Sequence, residues 1–148
     1  MDQKVHADIQ TKPFACFMGK WQGSSKTFDV SGELLAETPV TMEIAWKDGD
    51  TFTQIENIKN LYQVGEVSLK SEITVAGKTA SAKTDHLDLK ATELAPMTYL
   101  FRVESGVSHT TLHNTHFFLD EDTRCVVTHK MKNEKTFVFQ FQKFHRIL

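Results

Sequence analysis

Apolar and polar residues alternate along most of this chain with a period of two, which is the pattern of β-strands that bury one face. The pattern predicts strands over residues 20–30, 34–46, 51–58, 61–69, 71–75, 79–89, 98–103, 108–119, 124–131 and 137–142. In the second of these, the large apolar residues that we expect to face inward are Val40, Met42, Ile44 and Trp46. The Asp48-Gly49 pair that follows predicts a tight hairpin.

Helices have little support in the sequence, because no segment has the length and the 3.6-residue periodicity of a substantial helix. The apolar stretch 13–18 begins with Pro13 and predicts a short helical plug ahead of the first strand. Residues 90–96 are predicted as a connection, with a helical suggestion at 91–94 that is too short to stand alone.

Short strands joined by brief turns form a meander whose edges must be paired or closed. We therefore predict an all-β fold, a single antiparallel up-and-down β-barrel of about eight to ten strands with the plug at its base. At 148 residues and 40% hydrophobic content, the chain is expected to form a single domain over residues 1–148. Residues 1–12 are expected to be a loosely ordered N-terminal segment.

The opening Gly19-x-Trp21-x-Gly23 places an indole at the start of the first strand, where it needs a partner to cover it. We expect Arg146 of the last strand to lie on the Trp21 ring in a cation–π contact. Together with the plug, these residues resemble the calycin superfamily, which comprises lipocalins, fatty-acid-binding proteins and their relatives. The resemblance implies a barrel that contains a small ligand.

Two subfamilies share parts of this opening. Residues 17–21, Phe-Met-Gly-Lys-Trp, resemble the first strand of fatty-acid-binding proteins, although this chain turns through Ser31-Gly32 into a strand where that family has two lid helices. Residues 19–24, Gly-Lys-Trp-Gln-Gly-Ser, resemble the opening of nitrobindin-type haem barrels. That second resemblance implies haem ligation by a histidine of the C-terminal half, for which His129 and His145 are the candidates. The subfamily stays open.

Composition and charge exclude several classes of function. The 17 Lys and Arg residues are scattered among 19 Asp and Glu residues, so no basic stripe is available to bind nucleic acid. The absence of a long apolar run argues against a secretory signal or a membrane span. We expect a cytoplasmic protein that is either a monomer or a homodimer. Cys16 and Cys125 match no metal-binding or redox spacing, so we expect two reduced, buried thiols.

Histidines are concentrated in two neighbouring strands, with His109, His113 and His116 in one and His129 in the next. On a strand, His109 and His113 share a face while His116 points the other way, so the spacing does not form a metal triad and we predict no metal site. The inward register of the 108–119 strand stays open. The inward set is either Leu112, Asn114, His116 and Phe118, or Thr111, His113, Thr115 and Phe117.

We expect the barrel interior to have room for a ligand, because the strand that contains Ala80 and Ala82 carries small side chains. We predict that the cavity binds a small hydrophobic or amphipathic molecule. Because buried charges need partners, Glu56 and Arg102 are interpreted either as surface residues or as charged anchors of the cavity. The candidate ligand-binding residues are Trp46, Met42, Tyr99, Arg102, His113, His116, His129, Met131, Phe137, Phe139 and Phe141.

Three other uses of the same barrel stay open. A small-molecule enzyme, such as an isomerase, a cyclase or a chromophore lyase, would use His129 or His116 as its acid or base, so these two are the catalytic candidates. A barrel that holds haem or a pigment as its cofactor is the second alternative. A structural or protein-interaction barrel with a filled interior is the third.

Overall fold

The computed structural model describes residues 12–59, 66–84, 87–106 and 108–147, and these form a closed antiparallel barrel. Each strand pairs with the next in sequence and the last pairs with the first, which confirms the predicted up-and-down all-β barrel. A short 3₁₀ turn, Ala15–Phe17, precedes the strands. The strands are β1 (Gly19–Asp29), β2 (Leu34–Trp46), β3 (Thr51–Lys59), β4 (Glu66–Ala76), β5 (Thr79–Lys83), β6 (Leu87–Ala95), β7 (Thr98–Ser105), β8 (Thr110–Asp120), β9 (Thr123–Lys132) and β10 (Lys135–Ile147).

The largest difference from the predicted strands lies around β5 and β6. Residues 90–95, predicted as part of a connection, belong to β6, and the predicted strand 79–89 is divided between β5 and β6. The reason is tertiary pairing, because Ala91 lies between Ala80 of β5 and Phe101 of β7. Ladders on both sides hold this backbone as a strand, whatever its local preference.

Two predictions fall partly outside the described residues. Of the expected loose N-terminal segment 1–12, the structure describes Lys12 alone. The predicted strands 61–69 and 71–75 form one continuous strand, β4, from residue 66 onward, and residues 61–65 lie outside the described ranges.

The plug, residues 13–18, closes one end of the barrel and confirms the predicted N-terminal element. Its side chains from 14 to 18 are buried. Phe14 has a positive φ of 70°, and its backbone N–H donates a hydrogen bond of 3.1 Å to the Tyr99 hydroxyl. The Phe17 carbonyl accepts a hydrogen bond of 2.8 Å from the Trp21 indole. Among the described residues, no helix is long and apolar enough to cross a membrane.

Arg146 lies on the Trp21 ring, as predicted, with its guanidinium carbon 4.3 Å from the ring centroid. The same guanidinium donates hydrogen bonds to the backbone carbonyls of Cys16, Met18 and Glu121 and forms a 3.1 Å ion pair with Asp122. One side chain of the last strand therefore joins the plug, the first strand and the β8–β9 turn.

Steric constraints explain both glycines of the Gly19-x-Trp21-x-Gly23 opening. Gly19 has a φ of 125°, and a Cβ at this position would meet the Arg146 guanidinium. A Cβ at Gly23 would overlap the backbone carbonyl oxygen of Lys143 on β10. The motif thus allows the first and last strands to approach each other closely.

Aromatic rings fill the closed end of the barrel. The Phe14 ring lies 4.7 Å from Tyr99, and the Phe17 ring lies 4.9 Å from Tyr99 and 5.6 Å from Phe101. Cys16 is buried beside them and forms no disulfide, and burial raises the pKa of its thiol to about 11. Cys125 is also buried and forms no disulfide.

Candidate functional site

A cavity of about 430 Å³ occupies the barrel above the plug. Phe17 of the plug and Phe52 of β3 line its lower part, and side chains of the surrounding strands form its walls. This volume falls within the range of about 300–1,000 Å³ that small-molecule sites occupy. The interior therefore has room for a small ligand.

The two sides of the cavity differ in polarity. The apolar wall, on β4, β6 and β7, consists mainly of Leu69, Ile73, Leu87, Leu89, Phe101 and Val103. The polar wall, on β1, β9 and β10, consists of Ser25, Thr27, Thr128, Lys130, Gln140 and Gln142. A hydrogen bond of 3.2 Å from the Gln140 amide to the Thr27 hydroxyl crosses β10 and β1. A molecule in this cavity meets an apolar surface on one side and hydrogen-bonding groups on the other.

The structure decides the open register of β8. Leu112, Asn114 and His116 face the cavity, while His113 lies on the outer surface opposite His129. Phe118 continues the inward set and packs 5.2 Å from the Phe17 ring. The first of the two predicted alternatives is therefore the one that forms.

His116 sits deep in the cavity against aromatic rings, 4.7 Å from Phe101 and 5.3 Å from Phe17. Burial, together with the nearby charge of Arg124, lowers the pKa of His116 well below its ordinary value. The imidazole is therefore neutral at physiological pH. Its Nδ1 atom is buried without a hydrogen-bond partner, and so is the Oδ1 atom of Asn114.

Arg124 lies below the cavity and is 0% exposed. Its guanidinium carbon is 4.9 Å from the Trp21 ring centroid, 5.2 Å from Phe17 and 5.1 Å from Phe144. It donates a hydrogen bond of 3.3 Å to the Met42 sulfur, while its Nε atom has no partner. Burial lowers the pKa of Arg124 to about 9, so the group still carries its charge at neutral pH.

Glu56 is a carboxyl group inside the barrel, on the cavity wall contributed by β3. Burial raises its pKa, and the positive charge of Arg124 opposes this effect without cancelling it. Arg102, the other charged candidate, lies on the outer face of β7 in an exposed ion pair of 2.8 Å with Glu104. Of the two residues interpreted either as surface residues or as charged anchors, Glu56 lines the cavity and Arg102 is on the surface.

Several predicted site residues lie on the outside of the barrel, and the expectation that they line its interior is wrong. Phe137 and Phe141 are 45% and 40% exposed, and the Phe139 ring packs 5.1 Å from His129 on the same outer surface. The outward set comprises Arg102, His113, His129, Met131, Phe137, Phe139 and Phe141. His145, the second haem candidate, is also exposed.

The reason for this inversion is the polarity of the interior. Alternation identifies two faces of a strand but not which face is buried, and we expected the more apolar face to be inside. On β10 the inward residues include Gln140, Gln142 and Phe144, because Phe144 packs on Arg124 and the two amides belong to the polar wall. The same parity on β9 turns Val126 and Thr128 inward and His129 outward.

The other predicted site residues lie inside or near the plug. Met42 and His116 line the cavity. Tyr99 is buried against the plug, and Trp46 packs 5.7 Å from Phe52 with the Lys12 ammonium 3.6 Å from its ring. The residues that sequence reasoning missed are those of the polar wall and Arg124, a residue type that is rarely fully buried. Within the described ranges, no group of three or more His, Cys, Asp or Glu side chains is placed to hold a metal ion.

Comparisons with known proteins concern the fold alone. No protein-family model matches the sequence, and no curated protein matches it. The barrel is similar to a protein of unknown function from the DUF3598 family of Nostoc punctiforme, with a TM-score of 0.72 and 14% identity over 89% of this chain and 48% of that one. The chain thus spans about half the length of that protein.

Two further solved structures match over almost their whole length. The S-type phycobiliprotein lyase CPES from Guillardia theta has a TM-score of 0.70 at 9% identity, over 97% of this chain and 93% of that one. A mutant of the fluorescent protein UnaG has a TM-score of 0.55 at 11% identity, over 90% of this chain and 97% of that one. The likeness of these three structures to this chain is one of fold, at identities from 9% to 14%.

Proposed function

We propose that the barrel binds one small amphipathic molecule in its cavity. The observation that carries the proposal is the cavity of about 430 Å³, in which an apolar wall faces a polar wall. The apolar wall removes one side of the ligand from water, and the polar wall orients the other side through hydrogen bonds. Met42 and His116, together with residues of the two walls, are the contacts that we propose for the ligand.

The structural neighbours are consistent with the proposed binding function, but they do not identify the ligand. One is a phycobiliprotein lyase and another is a fluorescent protein, so the same architecture carries different functions. The function of this chain must therefore be argued from its own cavity.

A catalytic use of the same cavity is the second candidate, and one observation favours it. The neutral imidazole of His116 faces the cavity with an unpaired ring nitrogen, which is a requirement for a group that takes a proton from a bound substrate. His129, the other catalytic candidate, lies on the outer surface. A His116→Gln variant distinguishes the two functions. If the protein is an enzyme, the variant should bind its substrate but no longer convert it; if the protein is a binder, the variant should bind its ligand as before.

The first test is native mass spectrometry of the protein purified from its own source, combined with an absorption spectrum from the ultraviolet to the visible. A bound small molecule at one copy per chain is the expected result. A visible band would identify a pigment or a haem, and a colourless mass would identify a lipid-like ligand. Conversion of the released molecule by fresh protein, abolished by His116→Gln, would favour the enzyme.

A second test places the ligand inside the barrel. We expect the dye 1-anilinonaphthalene-8-sulfonate to bind the wild-type protein at one site with enhanced fluorescence. Ser71→Phe fills the cavity beside Leu69 and Ile73 and should abolish this binding. The matched control is Lys70→Phe, which adds the same ring to the outward face of the same strand and should leave cavity binding unchanged. Equal binding by both variants would overturn the proposal.

A further inference from the structure

The cavity contains a partly buried carboxyl group that receives no hydrogen bond from the described residues. Glu56 is inside the barrel, and only two influences act on its pKa, which are burial and the charge of Arg124. Within the part of the chain that the structure describes, no donor reaches this carboxyl group and no cation pairs with it. A partly buried carboxyl group in this condition is stabilised when a ligand supplies a hydrogen-bond donor.

The neighbouring polar groups deep in the cavity are also unsatisfied. The Oδ1 atom of Asn114 is buried without a partner, and the neutral imidazole of His116 leaves its Nδ1 atom unpaired. Glu56 is paired directly with Met42 across β3 and β2, and the Met42 sulfur accepts a hydrogen bond from Arg124, so Glu56 lies on the Arg124 side of the cavity. His116 packs 5.3 Å from the Phe17 ring of the plug. Arg124 itself does not line the cavity, because Met42, Phe17 and other side chains cover it. The deep end therefore offers hydrogen-bond acceptors rather than an exposed cation.

The cation that does line the cavity is at the other end. Lys130 belongs to the polar wall and lies near the end of β9, two residues before the strand ends at Lys132. The plug and Arg124 are at the opposite end of this strand. Among the described residues that line the cavity, the titratable side chains are those of Glu56, His116 and Lys130. The Glu56 carboxyl group on the Arg124 side and the Lys130 ammonium group near the end of β9 thus line different parts of the cavity.

We infer that the ligand enters with a hydrogen-bond donor, a hydroxyl or N–H group, toward Glu56 and carries an acidic group that remains at the mouth beside Lys130. This inference rests on the proposed binding function and adds the orientation and chemical class of the ligand. The donor satisfies the Glu56 carboxyl group, and the acid meets the ammonium group of Lys130. A simple carboxylic acid inserted head first would instead bring its carboxylate against Glu56 and the Asn114 oxygen.

The probes that test this inference share one aromatic body. 6-Hydroxy-2-naphthoate carries a donor at one end and an acid at the other, whereas 6-methoxy-2-naphthoate has the same acid but no donor. We expect the wild-type protein to bind the hydroxyl compound about 10- to 100-fold more tightly, as measured by calorimetry, because a hydrogen bond to a charged group has this strength.

Variants at Glu56 separate the hydrogen bond from other differences between the probes. Glu56→Leu should bring the two affinities to within about threefold of each other, since the acceptor is gone. Glu56→Gln keeps a neutral acceptor, should retain an intermediate preference, and serves as the test if the leucine variant does not fold. Glu43→Leu is the matched control, because Glu43 is exposed on the outer face of β2 and should leave the preference unchanged.

The contact between the acidic group of the ligand and Lys130 is tested separately with Lys130→Gln. This variant should weaken the binding of both naphthoates by a similar factor and leave the affinity for uncharged 2-naphthol unchanged. Equal wild-type affinities for the hydroxyl and methoxy probes, or a preference that survives Glu56→Leu, would overturn the inference while the cavity function stands. If none of these naphthalene compounds binds and the dye does not bind either, the proposed function fails and the inference fails with it.

Discussion

Arg146 and Trp21 are paired directly across β10 and β1, and the guanidinium carbon lies 4.3 Å from the centroid of the indole ring. The arginine is also bonded to three backbone carbonyls of the plug and of the β8–β9 turn. Its side chain is 5% exposed, so these hydrogen bonds are largely removed from water. The contact therefore contributes more to stability than an ordinary surface ion pair does.

Arg146→Met should reduce the free energy of unfolding by about 2–4 kcal/mol, because the carbonyls of Cys16 and Met18 lose a charged donor. Urea unfolding followed by tryptophan fluorescence measures the change. Arg102→Met is the matched control, since Arg102 forms an exposed ion pair and its loss should cost less than about 1 kcal/mol. Equal losses in the two variants would contradict the closing role of Arg146.

Gly23→Ala should destabilise the barrel by about 1–3 kcal/mol, because the added methyl group overlaps the Lys143 carbonyl and the backbone on both strands must move. The comparison is Gly49→Ala in the β2–β3 turn, where a Cβ meets nothing within 4 Å. That change should stay within about 0.5 kcal/mol. Similar unfolding midpoints for the two variants would show that the closing strands are not tightly apposed.

Glu56 makes the stability of the ligand-free protein depend on pH. Because burial raises its pKa, the folded protein holds this proton more tightly than the unfolded chain does. The free energy of unfolding therefore falls as the pH rises from the glutamate pKa of the unfolded chain through the higher pKa of the folded state. Glu56→Gln lacks this decrease, so its stability relative to wild type should grow with pH.

Urea unfolding at a series of pH values from about 4 to about 8 measures this difference. Glu43→Gln, which removes an exposed glutamate from the outer face of β2, controls for the general effect of one charge. Parallel curves for Glu56→Gln and wild type would mean that the carboxyl group is not buried as described.

The outer phenylalanines should contribute little to the cavity. Phe139→Thr is expected to cost less than about 1 kcal/mol and to leave dye binding unchanged, since Phe139 contacts His129 on the outer surface. Phe101→Ala removes a ring that is 6% exposed and lines the cavity, so it should cost about 3–5 kcal/mol and alter dye binding. Loss of dye binding in Phe139→Thr would show that Phe139 contributes to the binding site after all.

Sequence reasoning predicted the barrel because its evidence is local. Strand alternation, the Asp48-Gly49 turn and the Trp21 opening each depend on a few neighbouring residues, and the pairing of Trp21 with Arg146 follows once the barrel closes. It failed at β6, where Ala91 is held as a strand by partners that are distant in sequence.

The candidate site was harder to predict because a ligand cavity violates the usual burial rule. Gln140 and Gln142 face inward while Phe139 and Phe141 face outward, the reverse of what hydrophobicity favours. The register of β8, which brings His116 into the cavity, depends on packing against Phe17 and Phe101. No pattern within β8 contains that information.

Closure of the barrel by its first and last strands also has a kinetic consequence. The hydrogen bond from Arg146 to the Cys16 carbonyl joins residues that are 130 positions apart in the chain. A contact over this distance must overcome a large loop entropy, and folds dominated by such contacts reach the native state slowly, in about milliseconds to seconds. During synthesis on the ribosome, one edge of β1 stays unpaired until β10 has been made. The time of barrel closure therefore depends on the rate at which β10 emerges.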